Sequence, residues 1–69
     1  MAVVQIIELI GSSPISWEDA TKNALAEAAR TIENIKAVYV KRCNANVENN
    51  KISEYRAVVK IAFVVQREK

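Results

Sequence analysis

The 69-residue sequence contains no histidine and only one cysteine, Cys43. One cysteine cannot form an intrachain disulfide, and a chain without histidine lacks most of the ligands of a structural zinc site. Histidine is also the usual base beside a catalytic nucleophile. The carboxylates of Glu8, Glu48 and Glu54 are scattered and show no paired-carboxylate arrangement. These absences argue against an enzyme.

Glycine and proline are almost as rare, since Gly11 and Pro14 are the only examples. A single glycine cannot make a glycine-rich phosphate loop. The clustering of Gly11 and Pro14 predicts the main break between elements at residues 11–14. The sequence has no linker, repeat or low-complexity run, so we expect one domain over residues 1–69.

Neither sign of charge dominates the sequence, which has ten basic and eight acidic residues and a net charge of +2. The basic residues are spread from Lys22 to Lys69 without the clustered stripe of a nucleic-acid binder. No run approaches the ~20 apolar residues of a membrane span, and the first residues lack the basic start of a secretory signal. The lone cysteine suits a reducing compartment. We therefore expect a cytoplasmic protein without nucleic-acid or membrane partners.

Apolar residues, in contrast, make up 51% of the chain. A domain of this size buries only about 60% of the surface that its unfolded chain exposes. Without disulfides or a zinc site, association with further copies is the remaining way to bury the excess. The composition therefore predicts a homo-oligomer.

The order of the patterns predicts an α+β fold of the type β-α-β-β. A β-branched segment from Val3 to Ile10 predicts the first strand. The segment Ser16-Trp17-Glu18-Asp19 has the form of a capping box, in which Ser16 accepts from the Asp19 amide and the carboxylate reaches back. The helix is expected to run to about Asn34. Its apolar positions recur at three-and-four spacing: Ala20, Ala24, Leu25, Ala28, Ile32 and Ile35.

Two further strands are predicted over residues 36–47 and 52–66, joined by the polar turn at residues 48–51. The three strands form an antiparallel sheet covered on one face by the single helix. Alternation places Val38 and Val40 towards the helix and Ala37, Tyr39 and Lys41 on the opposite face. In the last strand the helix-facing set is Tyr55, Ala57, Val59, Ile61, Phe63 and Val65. The opposite face mixes polar and apolar residues, which is typical of an interface or a ligand surface. Its last-strand residues are Glu54, Arg56, Val58, Lys60, Ala62 and Val64.

Two residues have alternative interpretations. Trp17 is either a ligand platform or, as favoured by its place at the helix start beside an apolar strand, a packing anchor. Cys43 lies in a strand pattern, which favours a small buried or half-buried residue over a reactive thiol.

The chain resembles the dodecins over nearly its whole length. The resemblance rests on residues 10–13, on Ser16-Trp17-Glu18-Asp19-Ala20, on residues 28–35 and on the last strand from Tyr55 to Phe63. It implies the same β-α-β-β fold and a hollow homododecamer with sheets inside and helices outside. It also implies binding of flavins, as stacked pairs between subunits, for storage or sequestration.

The resemblance places two departures in the flavin site. Where flavin-binding dodecins have a stacking tryptophan at the start of the second strand, this sequence has Ala37. Where the family has a glutamine that hydrogen-bonds the flavin, it has Arg56. We expect riboflavin or FMN stacking to be lost or strongly weakened, because an absent aromatic platform removes roughly 1–3 kcal/mol per stacked ring. Arginine suits phosphate and dione oxygens, so retention of flavin through Arg56 stays an alternative.

The sequence looks closer to a calcium-associated subset of dodecins that lacks the platform tryptophan. No calcium ligands can be assigned, and the metal site is unknown. Tyr39 and Arg42 are candidate contacts to a ligand or pore, where repeated arginines would favour anions. A purely structural oligomer without a ligand is the remaining alternative.

Overall fold

A computed structural model describes residues 3–65 of the chain. Its elements follow the predicted order: β1 (Val3–Ser13), α1 (Trp17–Ala29), β2 (Ile35–Glu48) and β3 (Lys51–Val65). The α+β prediction is confirmed. Residue 66, predicted as the end of the last strand, lies outside the described residues.

The three strands form one antiparallel sheet in the order β1-β3-β2. We call the side on which α1 lies the helix face and the other side the open face. The helix packs on β1 and β3 and hardly touches β2. The buried core on the helix face consists of Ala20, Ala24, Ala28, Ala57, Val59 and Ile61. The predicted apolar stripe of the helix and the predicted helix-facing row of the last strand therefore meet.

Strand β1 continues three residues beyond its predicted end, because Gly11 is a packing position and not a break. Gly11 is buried and pairs with Ala57 inside the sheet. A Cβ atom at this position would overlap the Ala20 carbonyl oxygen and lie 2.8 Å from the Ala24 Cβ. Glycine here lets the alanine-rich helix approach the strand closely. The main break begins after Ser13.

One of the two hydrogen bonds of the predicted capping box forms at the start of the helix. Ser16 accepts a hydrogen bond from the Asp19 amide at 3.0 Å, as expected. The Asp19 carboxylate does not reach back to Ser16. It accepts from the buried Ser13 hydroxyl at 2.7 Å, which ties the end of β1 to the first helical turn.

The helix is shorter than predicted, since it ends at Ala29 instead of about Asn34. The amides of Arg30 and Thr31 donate to carbonyl groups three residues back, which tightens the last turn. Asn34 has a positive φ of 65° and turns the chain into β2. The amide of Val64 donates to its carbonyl at 3.1 Å and fixes this reversal to the sheet.

A long hairpin joins β2 and β3 through Asn49 and Asn50. Both residues have positive φ, 54° and 64°, as a two-residue type I′ turn requires. The pairing of β1 ends at Tyr55, so the hairpin continues beyond it as a two-stranded arm. The described chain is elongated as a result, with extents of 57 × 19 × 12 Å.

Candidate functional site

The open face carries most of the candidate residues and no element of the described chain covers it. The sheet register assigns to it the even-numbered residues of β1 and β3 and their partners in β2. Four large side chains with apolar surface on this face remain between 54 and 66% exposed. They are Val4, Ile6, Ile10 and Tyr39. An apolar surface of this kind marks an interface or a ligand site.

Ala37 lies on the open face, as predicted. A β-bulge between Ile35 and Ala37 adds one residue to β2 just before it. Ala37 then pairs with Ala62, which in turn pairs with Ile6 of β1. Ala37 is half-buried and Ala62 is only 6% exposed, so these two small side chains leave little exposed apolar area beside Ile6. The side chains there offer no ring for stacking.

Arg56 also lies on the open face, at the other end of the sheet. Its guanidinium hydrogen-bonds the Asn46 side chain, and its Nε lies 3.7 Å from a Glu54 carboxylate oxygen. Asn46 donates to the same carboxylate at 3.1 Å, which closes a local network. The Arg56 Nε is buried without a hydrogen-bond partner in the described chain.

Ala37 and Arg56 do not form one site within a single chain. The β3 partner of Ala37 is Ala62, six residues from Arg56. At ~3.3 Å per residue, the two positions are about 20 Å apart along the strand. The expectation that they share a face is confirmed, but they can meet around one ligand only if different copies supply them.

The centre of the open face is basic because of a second bulge in β2. The register shifts between Val40 and Arg42, so Lys41 is the extra residue. Lys41 donates to the Glu8 carboxylate of β1 at 3.4 Å, which requires its side chain to cross the open face of β3. Arg42 pairs with Val58, an open-face residue of β3. Both consecutive cations therefore lie on the open face.

Trp17 and Cys43 lie on the other side of the sheet. The Trp17 indole donates to the Asn44 carbonyl at 2.8 Å, and its ring meets Tyr55 edge-on at 4.9 Å. These contacts agree with a packing anchor. Cys43 is exposed, which corrects the prediction of a buried or half-buried residue. It is uncovered because α1 leaves β2 bare, and together with Trp17 and Val40 it lines an open groove of about 430 Å³.

The part of the chain that the structure describes lacks two features, a cluster of metal ligands and a membrane-spanning helix. Residues 3–65 contain no group of three or more acidic or cysteine side chains able to hold a metal ion. Within the same residues, the single helix is too short and too polar to cross a membrane.

Similarity to known proteins shows the family to which this chain belongs. The family model described as Dodecin matches residues 3–66. The chain belongs to the dodecin family. It is 30% identical to the calcium dodecin of Mycobacterium tuberculosis over 63 residues, which cover 91% of this chain and 89% of that protein.

Solved dodecin structures share the fold. A variant of the Thermus thermophilus dodecin superposes with a TM-score of 0.93 at 27% identity and covers 97% of this chain and 100% of its own. A calcium dodecin of M. tuberculosis, described as calcium chelating with a novel calcium-binding site, gives a TM-score of 0.82 at 29% identity. It covers 97% of this chain and 96% of its own.

Sequence reasoning missed the basic centre of the open face. Strict alternation turns the side chains of Lys41 and Arg42 to opposite faces, and only the bulge brings them together. Lys60 was assigned to the open face, but its place opposite Tyr39 on one side and Glu8 on the other depends on the register. The adjacent Lys41-Arg42 pair was the one available signal.

Proposed function

We propose that this dodecin forms a homo-oligomeric shell, a dodecamer by family resemblance, that binds or stores a small molecule or ion and does not catalyse a reaction. The observation that carries the proposal is the exposed apolar open face. Full burial of one Val or Ile side chain contributes about 1.5–3 kcal/mol, so three such residues per copy give a substantial drive to associate. Further copies of the chain are the only partners that we propose. We also propose that the protein is located in the cytoplasm.

The proposed ligand surface is the open face, with altered flavin positions. Ala37 supplies no stacking ring, and Arg56 is held by Asn46 and Glu54. We therefore propose that riboflavin or FMN binds much more weakly than in dodecins that have the platform tryptophan. Retained flavin storage through Arg56 is the alternative, and it requires the guanidinium to exchange its local partners for flavin oxygens.

Calcium association is the second candidate, and the 30% identity to a calcium dodecin favours it. Calcium takes six to eight oxygen ligands, many of them carboxylates. The described residues of one chain provide no cluster of three such groups. A calcium site would therefore need carboxylates from several copies, with Glu54 as the open-face candidate, because Glu8 lies in the basic centre of this face.

Native mass spectrometry of the purified protein tests these proposals in one experiment. The expected species has twelve times the 7.7 kDa chain mass, or roughly 92 kDa. Mass steps of flavin size would overturn the proposed loss of stacking. Steps of calcium size that disappear with a chelator would support calcium association. A monomer would contradict the shell, and an empty assembly in the presence of added flavin and calcium would favour a purely structural oligomer.

A further inference from the structure

We propose that Arg42 and Lys60 form a binding site for small phosphate-bearing anions at the centre of the open face. The site is distinct from the flavin positions at Ala37 and Arg56. It rests on the proposed function, because it takes the open face to be the ligand-facing surface of an assembly.

The bulge at Lys41 brings Arg42 close to Lys60 on the open face. Tyr39 pairs with Lys60, and after the extra residue Arg42 pairs with Val58, two residues further along β3. Arg42 is thus the diagonal neighbour of Lys60, at a Cβ–Cβ distance of about 7–8 Å. Two long cationic side chains at this spacing can reach the same anion. Bulges commonly re-aim side chains next to functional sites.

The charge around Arg42 and Lys60 is predominantly positive. Three cations, Lys41, Arg42 and Lys60, share the centre of the open face with one carboxylate, Glu8, and Lys41 already pairs with it at 3.4 Å. Among residues 3–65, neither Arg42 nor Lys60 forms an ion pair with a carboxylate. The next carboxylate on this face, Glu54, is four β3 residues from the partner of Arg42, or about 13 Å away.

The side chains of this cluster suit a phosphate group. A guanidinium binds two oxygens of a phosphate at once, and an ammonium adds a mobile point charge. The exposed Tyr39 ring beside Lys60 offers a hydroxyl donor and an apolar surface to the rest of the ligand. When copies assemble with this face inward, water screens the cations less and an anion becomes their natural partner. The same charge repels calcium from this part of the face.

Isothermal titration of inorganic phosphate into the assembled protein tests the inference. Arg42→Gln should weaken phosphate binding about tenfold, the loss typical of one charged hydrogen-bonding group. Lys60→Gln should weaken it in the same direction. Glu8→Gln should strengthen it, because this change removes the only carboxylate of the cluster. Arg30→Gln is the matched control, since it removes the same charge from the exposed end of the helix and should leave phosphate binding unchanged.

Native mass measured on each sample separates the two proposals. An assembled protein that binds no phosphate at about 10 mM, or whose binding is equally affected by Arg30→Gln and Arg42→Gln, overturns the anion site and leaves the shell intact. A monomeric wild-type protein contradicts the shell. If that monomer binds phosphate and loses binding with Arg42→Gln, the anion site is supported as a property of the single chain, and if it binds none, both proposals fail.

Discussion

At the scale of single residues, we propose that position 37 controls the stacking of a flavin on the open face. The side chains of Ala37 and its neighbour Ala62 provide no ring for stacking. We expect Ala37→Trp to tighten riboflavin binding, because a stacked ring is worth about 1–3 kcal/mol, or roughly 5- to 150-fold in affinity. Quenching of riboflavin fluorescence measures the effect.

The same substitution at Ala26, an exposed position of the helix, is the control and should bind riboflavin no better than the wild type. Both variants must retain the native mass of the wild-type assembly. If the wild type already binds riboflavin as tightly as Ala37→Trp, the proposed loss of stacking is wrong and flavin storage has survived without the tryptophan.

Gly11 has a structural role that can be tested by itself. A methyl group at this position would lie 2.8 Å from the Ala24 Cβ and against the helix backbone. Gly11→Ala should therefore lower the free energy of unfolding by about 1–3 kcal/mol, the usual cost of overpacking. Urea unfolding measures it. Ser12→Ala, at the neighbouring exposed position, should change stability by less than about 0.5 kcal/mol. Equal stability of wild type and Gly11→Ala would mean that the helix moves away without cost.

At the scale of elements, the helix and the three strands could be predicted because each has a clear residue period. Ala20, Ala24 and Ala28 recur at helical spacing, and the odd positions of the last strand are apolar from Tyr55 to Val65. The ends of the helix and of the first strand were harder to predict, since they depend on tertiary contacts. Gly11 was taken as a break because the helix that needs its small size lies in another part of the sequence.

The candidate site was less predictable than the fold, because it depends on strand register. Alternation placed Ala37 and Arg56 on one face, which is correct, but could not show their separation of about 20 Å. It also could not reveal the bulge at Lys41, since a bulge is a property of two paired strands and leaves no mark in the composition of one. The basic cluster around Arg42 therefore required the structure.

The turn between β2 and β3 can be tested by substitution at Asn50. Asn50 has a positive φ of 64°, a conformation that costs most residues about 1–2 kcal/mol. Asn50→Val should lower thermal stability, whereas Asn50→Gly should maintain or raise it, because glycine adopts this conformation freely. Melting curves followed by circular dichroism distinguish the two. Equal melting temperatures for both variants would show that the arm contributes nothing to the cooperative unfolding of the protein.

At the scale of the whole molecule, the open face is expected to hold the assembly together. Ile6 and Ile10 are 54 and 66% exposed in the single chain, on the same row of β1. Burying a carboxylate at either position between copies would cost several kcal/mol of association free energy, because an unpaired charge loses its water. We therefore expect Ile6→Glu combined with Ile10→Glu to release smaller species, measured by light scattering after size exclusion.

Ile15→Glu is the matched control, because Ile15 is 70% exposed but precedes the helix instead of lying on the sheet. The Ile15→Glu variant should form an assembly of the same mass as the wild-type protein. Circular dichroism of the double variant shows whether the released chains keep their secondary structure or unfold on separation. If the double variant assembles as well as the wild type, the copies associate through the helix side or the strand edges. The open face would then remain in contact with solvent, where its cations would attract anions from outside the assembly.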